Sequence, residues 1–302
     1  MDLPFGTAVD AGLCNGCTLC VTACPADIFT MVGDVARTTG RQDRCIHCDH
    51  CAAICPTGAV TVAAVSDEAL VLATVDTPDP QPEVPSPAAL VRLMRKRRSC
   101  RMYRDKPVDR AVLEDLVRIG ITAPTGTNSQ TWTFTLLPTR QAMLRFGELA
   151  VRFFRQLNFV ARLGPARLAS RLIAGDALGK YYRENYERVV EALEDWDRTG
   201  RDLLFHGATA GIFIGAAPGG TTPREDALLA AQNIVLAAEA MGLGTCLVGF
   251  AVEAMANDPR IKREIGIPPD ERIYAVIAVG HPKAPWKRPA GRRAVTPRYW
   301  EG

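Results

Sequence analysis

The sequence predicts an α+β protein of two domains, in which a small cysteine-rich unit precedes a larger unit of helices and strands. The chain has 302 residues, which is long for a single hydrophobic core. Eight of its ten cysteines fall within residues 14–55. Five prolines within residues 76–87 favour an extended, semi-rigid linker. We therefore expect domains at 1–75 and 88–302, joined by a linker at 76–87.

Charge is divided unevenly between these two parts. Residues 1–80 contain three Lys and Arg against ten Asp and Glu, a net charge of −7, whereas the remainder contains 33 against 23, a net charge of +10. An acidic unit on a basic body suggests two partners of different chemistry. The basic body favours a phosphate-bearing ligand over nucleic acid, because the sequence has no zinc-finger spacing, RNA-binding signature or basic recognition helix.

The sequence predicts neither export nor membrane insertion. It contains no apolar run long enough to span a bilayer. Its first residues do not form the basic segment followed by an apolar stretch that is typical of a secretion signal. We therefore expect a cytoplasmic protein without a membrane span, in which disulfides are not expected.

Two cysteine runs carry the most specific signal. Each contains three cysteines spaced three residues apart, then a fourth that lies four residues later and precedes a proline. This is the bacterial spacing for [4Fe–4S] cubes, in which the fourth cysteine of one run binds the cube of the other. Zinc and disulfides are the alternatives, but zinc sites usually come as two separated Cys-x-x-Cys pairs. The predicted ligands are Cys14, Cys17, Cys20 and Cys55 for cluster I, and Cys45, Cys48, Cys51 and Cys24 for cluster II.

Short apolar segments follow each run and predict strands at 28–32 and 59–62. Gly33-Asp34 is the expected hairpin turn between the first of these strands and the next. His47 and His50 lie within the second run, where the cysteines already suffice as ligands, so we expect both histidines to face solvent or to form hydrogen bonds near the cluster. Over about residues 8–65 the repeat resembles the bacterial dicluster ferredoxins.

The larger domain opens with Ser86-Pro87, an N-cap and first-turn proline that predict a helix. This helix ends in Arg97-Arg98-Ser99-Cys100-Arg101, where three guanidinium groups and a hydroxyl could clamp a phosphate. A second helix is predicted over about 109–121 and a strand over 133–137. Between them, the loop at 123–132 is rich in Pro, Gly, Asn and Ser, so its backbone N–H groups could bind a flat heteroaromatic ring.

Further segments extend this pattern. His206-Gly207-Ala208-Thr209 precedes an apolar strand at 211–216. Thr222-Pro223-Arg224-Glu225 predicts a capping box at the start of a long helix that stops at Met241-Gly242. Gly242-Leu243-Gly244-Thr245 then leads to Val248-Gly249-Phe250, and a strand at 272–279 runs into Gly280-His281-Pro282.

These motifs together resemble the FMN-dependent nitroreductase family over about residues 86–300, except for a stretch near 145–203. The resemblance implies a nitroreductase-type α+β sandwich, FMN as cofactor and an intertwined homodimer with FMN at its interface. The implied phosphate and ribityl contacts are Arg97, Arg98, Ser99, Arg101, Lys287 and Arg288. The implied loop against FMN, often supplied by the partner subunit, contains Pro124, Thr125, Gly126, Asn128 and Gln130.

Val248 and Gly249 resemble the pair beside the reactive edge of the flavin, where the Gly249 backbone N–H could reach N5. Two positions depart from the family pattern. Thr131 stands where many members have proline, and Val248 stands where some have glutamate, so acid-assisted chemistry at that position is not expected. No catalytic side chain can be assigned from the sequence.

The stretch at 145–203 is helical by pattern and contains many arginines and tyrosines. It is interpreted first as a helical excursion packed on a dimer, next as a lid with tyrosines near the flavin, and last as a basic amphipathic membrane face. Cys100 and Cys246 lie outside the clusters and are expected to be small buried residues rather than nucleophiles.

The favoured function is an electron relay. Reduced ferredoxin or another redox protein would supply the clusters, the clusters would supply FMN, and FMN would reduce a nitro compound, quinone or activated alkene. One alternative reverses the flow, with NAD(P)H reducing FMN and the clusters exporting electrons. Another is a non-catalytic electron-carrier subunit of a larger redox complex. The flavin-fragmenting and dehalogenating relatives of this fold are further alternatives, because the sequence does not identify the substrate.

Overall fold

The computed structural model describes residues 6–63, 65, 67–75, 85–289 and 291–302, so most of the predicted linker lies outside the described residues. The N-terminal unit contains four short strands and two short helices. Strand β1 pairs antiparallel with β4, and β2 with β3. The elements are β1 Thr7–Val9, α1 Leu19–Ala23, β2 Phe29–Val32, β3 Val35–Thr38, α2 His50–Ala53 and β4 Val60–Val62.

The predicted strands and turn of this unit are confirmed. Val32 pairs with Val35, so Gly33-Asp34 forms a two-residue hairpin turn. Gly33 has φ 61°, in the left-handed region that glycine adopts without steric cost. The unit buries a small core that includes Ile28 and Phe29, packed beside Cys20 and Cys51.

The larger unit is a four-stranded antiparallel sheet covered by helices on both faces, which confirms the predicted α+β class. Its strand order is β5-β6-β8-β7, so β5 and β7 are the two edges. The strands are β5 Trp132–Leu137, β6 Ala210–Ala216, β7 Gly244–Leu247 and β8 Arg272–Gly280. The helices are α3 Pro87–Lys96, α4 Arg110–Gly120, α5 Arg140–Ala161, α6 Gly164–Ala174, α7 Ala177–Glu184, α8 Tyr186–Thr199, α9 Pro223–Ala240, α10 Gly249–Asn257 and α11 Pro259–Glu264.

Strand β6 has every residue buried, as expected for a central strand covered on both faces. Its side chains alternate between two hydrophobic cores because successive residues of a strand point to opposite faces. Ile212 and Ile214 belong to the core beneath α4 and α9. Phe213 belongs to the core beneath α5 and α10, where its ring meets Phe146 edge-on at a centroid distance of 5.0 Å.

Helix starts mostly follow the sequence prediction. The Ser86 hydroxyl accepts the Ala89 N–H at the start of α3, and Asp109 caps α4. The capping box predicted at 222–225 is wrong. The Thr222 hydroxyl accepts no cap hydrogen bond and instead donates to Asp226 Oδ1 at 2.9 Å. The buried carboxylate of Asp226, one residue beyond the predicted box, draws this hydroxyl away from the helix N–H groups.

The stretch near 145–203 is helical, as predicted, and comprises most of α5 together with α6, α7 and α8. Helix α8 packs on α5 where Gly147 leaves room for Trp196, since a Cβ at Gly147 would lie 3.1 Å from the Trp196 ring. Leu172 and Ile173 on α6 are exposed. Among the described residues, no helix combines the length and the apolar character that crossing a membrane requires.

Candidate redox site

Cysteines from both runs surround two small cavities in the N-terminal unit. One cavity is lined by Cys14, Cys17, Cys20 and Cys55, and the other by Cys24, Cys45, Cys48 and Cys51. These are the two predicted ligand sets, each with three cysteines from one run and one from the other. Among the described residues, no three His, Cys, Asp or Glu side chains are grouped so as to hold a single metal ion. The thiols instead surround a space, as a cluster of several irons requires.

The fourth cysteine of each run accepts a backbone hydrogen bond. Ile28 N–H donates to Cys24 Sγ at 3.4 Å, and Ala59 N–H donates to Cys55 Sγ at 3.2 Å. Burial acts to raise the pKa of the Cys55 thiol, but hydrogen bonds from Thr57 and Ala59 outweigh it and lower that pKa. Hydrogen bonds to thiolate sulfur favour its charged form and help to set the potential of an iron–sulfur cluster.

Each cysteine loop contains two residues with positive φ at equivalent positions, Gly16 and Thr18 in the first loop and His47 and Asp49 in the second. Gly16 has φ 73°, and a Cβ there would lie 2.7 Å from the carbonyl oxygen of Asp34, so only glycine fits. His47 occupies the corresponding place in the second loop with φ 50°. His47 and His50 both line the cluster II cavity. The cysteines complete the ligand set without them.

A third cavity, of about 1400 Å³, lies in the larger unit at the β7 edge of the sheet. Its walls come from α5, α8, the segment 201–206 and the turn from β7 into α10. Aromatic side chains of Phe154, Trp196 and Phe250 line it together with several charged groups. Small-molecule sites usually enclose about 300–1,000 Å³, so this cavity has room for more than one ligand.

The cavity lining carries both signs of charge, since four arginines and five carboxylates contribute to it, and three of the arginines lie at the part that contains His206. Arg101, Arg188 and Arg201 line it around His206. Burial, followed by the positive charge of Arg101, lowers the pKa of His206 below its usual value, with Asp202 opposing this. The imidazole is therefore neutral at pH 7 and can exchange hydrogen bonds with a bound anion without adding charge.

The arginine segment after α3 provides donors suited to a phosphate. Backbone N–H of Cys100 donates to Thr245 O at 2.7 Å, which fixes the segment beside β7. The Nε atom of Arg98 is buried without a hydrogen-bond partner, while its guanidinium stacks over Trp286 at 5.0 Å. In the described part of the chain, no ion pair involves Arg97, Arg98 or Arg101. Unpaired arginines with a buried orphan donor fit the phosphate of a mononucleotide.

Val248 and Gly249 both line the large cavity. Val248 N–H donates to Val276 O at 2.8 Å, so this N–H already has an acceptor in the sheet and is not free to bind a ligand. Gly249 is the first residue of α10, where N–H groups have no intrahelical acceptor. A Cβ at Gly249 would meet nothing within 4 Å, so a flat ring has access to this N–H.

The other predicted FMN residues do not line this cavity, and Arg97, Arg98 and Ser99 are among them, since only Arg101 of the arginine segment reaches its wall. The loop residues do not line the cavity, because they precede β5 at the opposite edge of the sheet. Lys287 and Arg288 follow β8 and are exposed, and they do not line the cavity either. The loop residues concerned are Pro124, Thr125, Gly126, Asn128 and Gln130.

Asp226 holds this loop in place. Its carboxylate accepts hydrogen bonds from Gly126 N–H at 3.0 Å and from the Ser129 hydroxyl at 3.4 Å. The tip of the loop contacts the cluster II loop, because Asn128 Nδ2 donates to the carbonyl oxygens of Ile46 and His47 at 3.1 and 2.8 Å. The predicted flavin loop therefore joins the two units within one chain.

A second contact joins the units at Asp115 of α4. This buried carboxylate accepts hydrogen bonds from Ala73 N–H, Thr74 N–H and the Thr74 hydroxyl at 2.6 to 3.0 Å. Arg118 completes the site with an ion pair at 2.9 Å. Burial acts to raise the pKa of Asp115, but the hydrogen bonds from Thr74 and Ala73 and from Arg118 outweigh it and lower the pKa to about 2.

The sequence did not single out His206, Phe154 or Trp196 as lining a site. The arginine-rich pattern of the excursion was the available signal, and α8 does contribute Arg188 to the cavity wall. The tyrosines of this excursion do not line the cavity, and Tyr181 instead donates to Asn158 Oδ1 at 2.7 Å.

Cys100 and Cys246 are buried, as predicted, and burial raises the pKa of both thiols.

Comparison with known proteins extends across both units. Residues 94–281 match the nitroreductase family, and residues 13–59 match the 4Fe-4S dicluster domain. A 4-nitrobenzoate reductase from Nocardioides sp. is 26% identical over 246 residues, covering 73% of this chain and 91% of that protein. A ferredoxin from Methanothermococcus thermolithotrophicus is 39% identical over 56 residues, covering 18% of this chain and 92% of the ferredoxin.

Solved structures share the fold of the larger unit. A nitroreductase with bound FMN from Desulfitobacterium hafniense aligns with a TM-score of 0.52 at 21% identity, covering 70% of this chain and 98% of that structure. Another with bound FMN, from Bacteroides fragilis, has a TM-score of 0.51 at 18% identity, with the same coverage. With its sheet, its helices and its matched residues 94–281, the chain belongs to the nitroreductase family, and it carries a 4Fe-4S dicluster ferredoxin domain before the nitroreductase domain.

Proposed function

We propose that this protein is an iron–sulfur flavoprotein that passes electrons from two [4Fe–4S] clusters to FMN and then to an electron-poor small molecule. The observation that carries the proposal is that both predicted ligand sets assemble around cavities in a unit hydrogen-bonded to the nitroreductase domain. When bound, FMN supplies the exchange between one-electron and hydride chemistry.

The chain's own residues bind and orient the cofactor. Arg101, which lines the cavity, would neutralise and hold the phosphate, and Arg98 of the same segment would be a second donor, since guanidinium groups bind phosphate oxygens bidentately. Gly249 lines the cavity with open space beside its Cα, and its N–H would donate a hydrogen bond to the ring edge, where it would stabilise negative charge. Phe154 and Phe250 form an apolar wall that restricts water.

The acceptor is a small aromatic molecule carrying a nitro group and a carboxylate. The name of the Nocardioides relative supports this class, and Arg188 offers positive charge to a carboxylate in the cavity, whereas Arg201 is paired with Asp195. The cavity volume of about 1400 Å³ accommodates such a molecule beside FMN. Quinones and activated alkenes are the other acceptors to be screened.

Two further features belong to the proposal. The protein is a homodimer, because exposed apolar side chains such as Leu90, Val91 and Met94 on α3 are suited to association. It is cytoplasmic, because all ten cysteines are unpaired in the structure and thiols persist in a reducing compartment.

Purification without oxygen tests the cofactors first. About eight irons per chain and a bound yellow mononucleotide are expected, since two cubes contain eight irons. Anaerobic titration then tests the direction of flow, with reduced ferredoxin expected to bleach the flavin faster than NADH or NADPH. Prompt bleaching by a pyridine nucleotide alone would instead support electron export, and absence of both cofactors would reject the proposal.

The acceptor class is tested with matched substrates. Arg188→Gln should lower kcat/KM for 4-nitrobenzoate by about tenfold, because a hydrogen bond to a charged group contributes roughly 1.5–3 kcal/mol. Nitrobenzene, which lacks the carboxylate, should be reduced equally well by this variant and by the wild type. Arg183→Gln is the control, since Arg183 lies outside the cavity and pairs with Asp176. Equal losses on both substrates would reject carboxylate binding by Arg188.

A further inference from the structure

We propose that electrons pass between two copies of the chain, so that cluster II of one copy transfers electrons to the flavin in the cavity of the other. This inference rests on the proposed function and adds the route to it. It depends on where the sheet places the two sites. Cluster II lies at one edge of the sheet and the large cavity lies at the other.

Cluster II docks at the β5 edge. Ile46 and His47, which line its cavity, both accept hydrogen bonds from Asn128 in the loop that precedes β5. Among the described residues, no hydrogen bond or ion pair joins the lining of the cluster I cavity to the larger unit. Cluster II is therefore the cluster positioned to exchange electrons with the nitroreductase domain, and cluster I is left to face an external redox partner.

The large cavity lies at the β7 edge, where β7 contributes Cys246 and Leu247. Strand order β5-β6-β8-β7 separates this edge from the β5 edge by three gaps. Each gap is about 4.8 Å, so the two edge strands alone lie roughly 14 Å apart, before the distance from each edge to its site is added. The two sites also lie on different faces, since the loop packs on α9 whereas α5 and α10 wall the cavity. Electron transfer slows steeply with distance, which disfavours this route within one chain.

A second copy can bring the two sites together. The start of α9, next to the docked loop, exposes Leu228 and Leu229 with 42% and 45% of their surface accessible. The cavity rim exposes Leu247 at 52%. Contact between these apolar patches would bury both and seat the Asn128 loop over the open cavity. An isologous dimer would make this contact twice and create two equivalent routes.

Mixed dimers test the route directly. In the first mixed dimer, one chain carries Cys48→Ala to remove cluster II and the other carries Arg101→Glu to weaken FMN binding, at an FMN concentration that leaves the Arg101→Glu cavity empty. In the second, one chain carries both substitutions and its partner is wild type. Each dimer is isolated through two different affinity tags. The readout is the rate at which bound flavin loses its absorbance after reduced ferredoxin is added, above the background of a dimer with Cys48→Ala in both chains.

Transfer between copies predicts that the first mixed dimer keeps one of the two routes and bleaches at about half the wild-type amplitude. The second should stay at background, because its intact cluster II faces an empty cavity. Transfer within each chain predicts the opposite pattern and would overturn the inference while leaving the proposed function intact. Absence of clusters or flavin in the wild-type protein would reject the proposed function itself.

Asn128→Asp provides a variant that keeps all the cysteines. Its carboxylate has no hydrogens to donate and repels the carbonyl oxygens of Ile46 and His47, so docking should weaken while the iron content stays unchanged. The bleaching rate is expressed per bound flavin, because the Asn128 loop lies over the partner's cavity in the proposed dimer. Flavin bleaching by reduced ferredoxin should slow about tenfold, the change that ~1.4 kcal/mol makes in an equilibrium. Asn257→Asp is the control, since Asn257 is exposed at the end of α10, donates to the Glu253 carbonyl oxygen and lines neither cavity. An unchanged bleaching rate in Asn128→Asp would contradict the role given to Asn128.

Discussion

The iron–sulfur unit and the flavin cavity are built in opposite ways. All eight predicted cluster ligands lie within residues 14–55, and short loops with two positive φ angles each bring them together. The cavity is lined by residues from 101 to 253, contributed by α5, α8, a loop and the β7–α10 turn. The cluster sites are therefore specified by the local spacing of the cysteines. The cavity, in contrast, forms only when elements that are distant in the chain pack together.

Removal of one cluster ligand should have the largest effect. It should affect the iron–sulfur unit, whose sites depend on local cysteine spacing, and leave the flavin cavity intact. Cys51→Ala is expected to lower the iron content from about eight to about four per chain, because a cube needs its full set of thiolates. Flavin content should stay unchanged, and the electron flow from reduced ferredoxin should cease. Iron analysis and flavin absorbance measure both.

Cys100→Ala is the matched control for that variant, since Cys100 is buried between β7 and Tyr103 and lies outside both cluster cavities. It should retain about eight irons. Equal iron loss in the two variants would show that the effect of Cys51→Ala comes from general unfolding and not from a lost ligand.

Charge reversal in the cavity should have the next largest effect and should leave the clusters intact. Arg101→Glu is expected to weaken FMN binding by about tenfold to a hundredfold, because a charged hydrogen bond contributes roughly 1.5–3 kcal/mol. Equilibrium dialysis with FMN measures the affinity. Arg110→Glu is the control, since Arg110 is exposed on α4 and pairs with Glu114. Unchanged FMN affinity in Arg101→Glu would place the phosphate elsewhere.

The smallest expected effect lies at the contact between the two regions. Asp115→Asn should cost roughly 2 kcal/mol of docking stability at pH 7, because the pKa of Asp115 is lowered from 3.8 to about 2 on folding. Since the folded pKa is the lower one, this stabilisation is present above pH 4 and is lost as the pH falls toward 2. Amide hydrogen exchange at Ala73 and Thr74, whose N–H groups donate to Asp115, measures it.

Asp109→Asn is the control on the same helix, because Asn caps a helix about as well as Asp. It should leave exchange at Ala73 and Thr74 unchanged. If Asp115→Asn also left this exchange unchanged at pH 7, the contact would contribute nothing to docking. If its effect grew as the pH fell, the sign of the pKa shift would be wrong.

Strong local signals made much of the fold predictable. The Gly33-Asp34 turn, the Ser86 cap and the strand at 211–216 each follow from nearest-neighbour chemistry and occur where the sequence placed them. The capping box failed because Asp226 competes for the Thr222 hydroxyl, a contact that depends on the loop at Gly126, a hundred residues earlier in the chain. Pattern alone cannot foresee such competition.

The sequence by itself determined which cysteines could form two cluster sites, which segments become helices and strands, and which arginines could hold a phosphate, because spacing and periodicity encode these locally. The tertiary structure alone decided that Asn128 contacts the cluster II loop, that α8 walls the cavity, and that the two sites lie at opposite edges of one sheet. Strand order and domain docking arise from long-range packing, where many weak contacts act together and no single residue pattern specifies the outcome.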